Sequence, residues 1–223
     1  YGLKANVMRR YRYTQPQMDG VPIDDDLVYT VLGLLVLEQY GAGFTTDQLG
    51  EVWKHRLTHA CTAERTALDR LLEGVPGADA ADPDDPMPEW IGGGIGADPW
   101  SYVAPGWPEK AAAMAWSDAM LTHRRNGVYG TMFFAAAISA AFALDDPFEA
   151  LQVGLAEIPE QCRFSKEIRQ SLDAVERISD YREARAYVED RFAGMHRTHA
   201  INNACLVIFG LGLGGTDFDA LIG

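Results

Sequence analysis

At 223 residues, with 48 % apolar and 23 % charged content, the chain is long enough for one domain with a sizeable core, and disorder is excluded as its default state. Acidic residues outnumber basic ones by 32 to 19, a formal charge of −13, which argues against a nucleic-acid backbone or an anionic membrane surface as the main partner. The three widely spaced cysteines, Cys61, Cys162 and Cys205, argue against a disulfide framework or a cysteine zinc site and fit a reducing cytoplasm.

Apolar residues recur at helical spacing through most of the chain, and period-two alternation rich in Val, Ile and Thr is scarce, so the expected fold class is all-α. The first element is announced by three adjacent acids, Asp24, Asp25 and Asp26, directly before an apolar run at 27–37. Asp is a favoured N-cap, and a negative charge near a helix start contributes about 0.3 to 1 kcal/mol. Only one of the three can occupy the cap. Two carboxylates ~4 Å apart at an effective dielectric of ~20 repel by about 4 kcal/mol, and a hard divalent cation with oxygen ligands reverses that sign. Solvated capping and metal binding both remain open from this local pattern.

The periodicity predicts helices over 27–40, 46–57, 61–73, 108–122, 129–143, 147–156, 165–177, 183–193 and 198–210. None approaches the ~20 apolar residues needed to span a bilayer, and no signal peptide is evident. Residues 74–88 are rich in Pro, Gly and Asp and read as an exposed loop inside a single domain, 1–223. Residues 91–98 carry Gly92, Gly93, Gly94 and Gly96. They fit a phosphate cradle or a plain flexible turn equally, and the Lys-Ser or Lys-Thr of a P-loop is absent. Two small-residue helices, at 111–115 and 135–141, suit close packing in a bundle. Between them lies a polar island, from Asp118 through His123 to Asn126, Gly127 and Tyr129, of the kind that lines a ligand pocket. His55 and His59 have zinc-like i,i+4 spacing but lack the intervening Glu and a third ligand. No Gly-x-Ser-x-Gly elbow marks a serine hydrolase.

Three separated segments then stand out together. They are Pro22-Ile23-Asp24-Asp25-Asp26 before the apolar helix; Glu89-Trp90-Ile91-Gly92 through Asp98-Pro99-Trp100 and on to Thr122-His123-Arg124-Arg125-Asn126-Gly127-Val128-Tyr129-Gly130; and Thr198-His199-Ala200-Ile201-Asn202-Asn203. In order and spacing they resemble the ADP-ribosylglycohydrolase family, which includes the dinitrogenase-reductase activating glycohydrolases and crystallin J1 relatives. The resemblance runs from about Asp19 to Gly223. It implies a compact, orthogonally packed all-α bundle with two Mg²⁺ or Mn²⁺ ions in a central cleft, hydrolysing the bond between the anomeric carbon of ADP-ribose and a protein side chain or small acceptor.

Carried over by position, Asp24, Asp25 and Asp26 are the implied metal acids, with Asp25 and Asp26 also serving the catalytic role of activating water. Gly96, Ala97, Asp98, His123, Asn126, Gly127 and Tyr129 are the implied substrate contacts. Backbone N–H groups of Gly96 and Ala97 would meet phosphate, Asp98 a hydroxyl or metal-bound water, His123 a ribose or diphosphate oxygen, and Tyr129 the adenine. A structural cap for His123 and a plain turn for Asn126, Gly127 and Tyr129 remain equally adequate. The chain departs from the family's Thr-Asp-Asp-Thr pattern, with Ile23 for the first Thr and Asp26 for the second. The family's glycine-rich opening and its later Asp-x-Asp-Thr motif are not found, so the chain is expected to lack N- and C-terminal portions of the family domain. The partners implied are an ADP-ribosylated protein or a small ADP-ribose-containing molecule. The rival is a non-catalytic, crystallin J1-like binding or structural relative. A terpene-synthase-type diphosphate site ranks below both, because Val28 and Tyr29 follow the acids where Asp-Asp-x-x-Asp needs another acid.

Overall fold

The computed structural model describes residues 24–222. Among them the architecture is all-α, and extended pairing is confined to an isolated antiparallel bridge between Trp90 and His199. No helix among the described residues is long and apolar enough to cross a membrane.

The helices start where their caps permit. Helix α1 (Asp25–Tyr40) is capped by Asp24, whose Oδ1 accepts from the Asp26 N–H at 2.9 Å, and it stops at Gly41, where φ reaches 72°. Helix α2 (Thr46–Arg56) opens with a reciprocal capping box between Thr45 and Gln48, and α3 (Thr62–Leu72) follows. Two short helices, α4 (Gly92–Ile95) and α5 (Asp98–Tyr102), occupy the glycine-rich stretch. The remainder are α6 (Pro108–Ala119), α7 (Asn126–Ala141), α8 (Pro147–Ala156), α9 (Arg163–Ala174), α10 (Tyr181–Arg191), α11 (Ala200–Gly214) and α12 (Phe218–Ile222).

Two apolar cores meet at α7. One gathers Tyr29, Val36, Leu49, Trp53, Leu68, Trp100 and Leu121 with Ala135; the other gathers Phe133 and Ala137 with Leu155, Phe164, Ile168, Ile201 and Phe209. Phe134 packs against both. Helix α7 lies principally against α6 and α8, and its small residues allow that close approach, since a Cβ on Gly154 of α8 would stand 2.7 Å from the Phe133 carbonyl oxygen.

Several boundaries differ from the periodicity, among them the end of α6, at Ala119 rather than 122. Residues 92–95 are helical rather than loop, because tertiary contacts supply what glycine propensity withholds: Ile91 N–H donates to the Thr198 carbonyl at 2.7 Å and Gly93 N–H to His123 Nε2 at 3.2 Å. Residues 98–102 are helical too, opened by Pro99 in the first turn. Helix α7 begins at Asn126, three residues earlier than expected, where Asn126 Oδ1 accepts from Phe164 N–H at 3.0 Å and ties the helix start to α9. Helix α11 continues through Gly210 and Gly212 to Gly214, and the bare Gly212 lets α11 lie against Val175.

Candidate active site

The start of α1 brings Asp24, Asp25 and Asp26 together at the surface. One carboxylate oxygen from each can be chosen so that all three lie within 4.8 Å of one another. The cap explains Asp24 alone. Three hard oxygen donors at that spacing have the chemistry of a Mg²⁺ or Mn²⁺ site, so these residues fit the cation that the sequence implies. The Ile23 departure lies outside the described residues.

The glycine-rich stretch and the polar island fold onto each other beside α1. Gly96 and Ala97 are buried, and their N–H groups donate to the carbonyls of Gly93 and Gly94 at 3.1 and 3.2 Å. Asp98 begins α5, half-buried, beside the Tyr102 hydroxyl. His123 is fully buried. Its Nε2 accepts from Gly93 N–H and its Nδ1 lies 2.6 Å from Thr122 Oγ1, which assigns the neutral tautomer with the proton on Nδ1. Burial, and next the Arg124 charge, push His123 down to about 4.

Asn126 bridges two segments, donating to Glu89 Oε2 at 2.5 Å while accepting from Phe164. Gly127 is packed so closely that a Cβ there would stand 2.5 Å from the Pro88 carbonyl oxygen. Tyr129 is half-buried against the second core. Glu89 also faces Arg125 and His199, each at 3.8 Å, and Trp90 stacks on His196 with centroids 4.1 Å apart. The second and third sequence segments therefore meet in space. His199 caps α11, and Asn203 donates to the carbonyls of Arg197 and His199. His55 is exposed near Glu51, and His59 is near Cys61.

Two further acids lie between these parts: Glu64, not picked out from the sequence, and Asp118, noted there only as the start of the polar island and given no site role. Glu64 on α3 is buried and accepts from Thr62 Oγ1 at 2.8 Å. Thr62 holds φ at 49°, an unusual conformation for a β-branched residue. Asp118 on α6 is half-buried by surface, but its carboxyl is packed against Gly96 and the Trp100 side chain. Loss of water around them raises both carboxyls to about 7; Thr62 opposes this at Glu64, and Trp100 opposes it at Asp118. The Trp100 indole N–H exerts that pull without a hydrogen bond of good geometry. A signal for them was present. Glu64 stands in the buried stripe of Ala60, Ala67, Leu68 and Leu71, and Asp118 in that of Ala111, Met114 and Ala115.

A family model described as ADP-ribosylglycohydrolase matches residues 5–222. Neither the curated proteins nor the solved structures compared with the chain give a match.

Proposed function

Because the chain belongs to the ADP-ribosylglycohydrolase family, we propose that it hydrolyses the glycosidic bond between ADP-ribose, or a related nucleoside ribose, and an acceptor, with divalent metal at Asp24, Asp25 and Asp26. The observation that carries the metal part is the clustering of those three carboxylates. The resemblance gives two ions, Mg²⁺ or Mn²⁺. When bound, the metal supplies positive charge that orients ribose hydroxyls and offsets charge developing as the bond breaks.

The chain's own residues do the remainder. Asp25 and Asp26 accept a proton from the water that attacks the anomeric carbon, since departure of the acceptor leaves an oxocarbenium-like centre. Asp98, Asn126 and Tyr129 border the bound nucleotide, with Gly96, Ala97, His123 and Gly127 shaping the floor under it. The substrate is an ADP-ribosylated protein or a small ADP-ribose-containing molecule. Free Cys61, Cys162 and Cys205 support a cytoplasmic setting, and one domain over 1–223 is the proposed organisation. Asp25→Ala should abolish metal-dependent release of ADP-ribose, measured by chromatography of the released nucleotide. Undiminished turnover in that variant would overturn the assignment.

A non-catalytic, crystallin J1-like reading is favoured by one observation: the Gly96 and Ala97 N–H groups and both His123 nitrogens already have internal partners. That reading requires ADP-ribose to bind without being released from any acceptor, with wild type and Asp25→Ala equally inert.

A further inference from the structure

One turn along α1 from Asp25, Tyr29 lines a small internal pocket together with Trp53, Glu64, Gly92, Gly96 and Asp118. Its volume is about 10 Å³, room for roughly one water-sized body. Tyr29 is 7 % exposed and its buried Oη has no hydrogen-bond partner among the described residues. The two carboxylates flank the same space. Glu64 Oε1 lies 1.6 Å from where a Cβ on Gly92 would stand, and Asp118 Oδ2 lies 2.8 Å from the corresponding position on Gly96. Those glycines are four residues apart, and side-chain positions at that spacing on a helix are ~5 to 6 Å apart. Both carboxylates thus border the one pocket.

Among the described residues, no Lys, Arg or His lines the pocket. His123, next to the lining residue Thr122, is held neutral by its own hydrogen bonds. Two carboxyls and a phenolic oxygen thus converge where no lining residue among those described balances their charge, and an uncompensated buried carboxylate is costly. Burial raises both carboxyls to about 7, with the Glu64 charge adding to the rise at Asp118, so at pH 7 each is about half ionised and the two carry roughly one negative charge. One positive charge neutralises it. Mg²⁺ retains several waters and does not fit a space of this size.

We propose that Tyr29, Glu64 and Asp118 form a buried site for a single monovalent alkali cation, potassium or sodium, which ties α1, α3 and α6 to the glycine turn of α4. It shares no ligand with the Asp24 to Asp26 cluster. The test is the thermal unfolding midpoint at pH 7, with chelator, in potassium, sodium or tetramethylammonium chloride at equal ionic strength. An alkali cation should raise the midpoint by about 5 °C over tetramethylammonium, with saturation. Glu64→Gln and Asp118→Asn should each remove the difference, and Asp25→Asn should keep it. Equal midpoints in the three salts, or a difference that survives both pocket substitutions, would overturn the proposal. If those variants fold poorly, Tyr29→Phe keeps the ring stacked on Trp53 and removes only the oxygen. Its half-saturating cation concentration, read by tryptophan fluorescence, should rise severalfold, and an unchanged value counts against the site.

Discussion

At the residue scale, Gly127 and the buried titrating groups make opposite demands. Alanine at Gly127 gains about 1 kcal/mol of helix propensity, but its Cβ meets backbone, the Pro88 carbonyl oxygen at 2.5 Å, and overpacking of that kind costs about 1 to 3 kcal/mol. Gly127→Ala should therefore destabilise by up to about 2 kcal/mol in chemical denaturation, while Gly43→Ala, with open space around its Cβ, should not destabilise. Glu64, raised from 4.5 to about 7, binds its proton more tightly when folded. Its contribution is complete below pH 4.5 and is lost as pH rises through about 7. In tetramethylammonium buffers, Glu64 should contribute a fall on the order of 3 kcal/mol across that window, and Glu64→Gln should reduce the fall, leaving the part due to Asp118. His123 works in the other sense: lowered from 6.5 to about 4, it contributes above pH 6.5 and that contribution is lost as pH falls through about 4. Glu64 was legible in principle, as an acid inside an apolar stripe, but a stripe alone does not say whether the acid is buried or bends out to water.

At the element scale, the long helices were readable because each carries a repeating apolar face and a cap, as at Thr45 and Gln48 or Asp180 before α10. The short α4 and α5 were not. The α4 sequence, dense in glycine, contains no local preference for helix, and the contacts that hold it come from Thr198 and His123, far along the chain. Helix α5 is a five-residue turn of helix opened by Pro99 and too short to show a repeating apolar face. Likewise Asn126 reads locally as a turn residue, and only its bond to Phe164 N–H at 3.0 Å reveals a helix start. The beginning of α1 has two roles that substitution separates. Asn caps a helix about as well as Asp but brings no charge to a metal. Asp24→Asn should leave the metal-free unfolding midpoint within about 1 °C of wild type and weaken Mn²⁺ binding in a calorimetric titration. Unchanged Mn²⁺ binding in that variant would make Asp24 a cap and nothing more.

At the scale of the molecule, α7 joins two cores through Phe133, Phe134 and Ala135, and the glycine turn, the polar island and the acids of α1 collect on the side of the first. The family resemblance was legible because its three segments are separated in sequence and no folding is needed to see their order. Their internal hydrogen bonding was not legible, since that depends on which backbone groups remain free after packing. A formal charge of −13 repels an anionic nucleotide substrate, and salt screens that repulsion over about 10 Å at 0.1 M. KM for an ADP-ribosylated substrate should accordingly fall as ionic strength rises, and a rise would reveal a basic docking patch instead. The proposed activity depends on the three acids at the head of α1. Titrating Mn²⁺ into wild type and Asp25→Asn in potassium buffer, with free ion followed by electron paramagnetic resonance, tests them most directly. Wild type should bind with at least about tenfold higher affinity, a difference of about 1.4 kcal/mol; indistinguishable titration curves would contradict the claim that these carboxylates hold the metal.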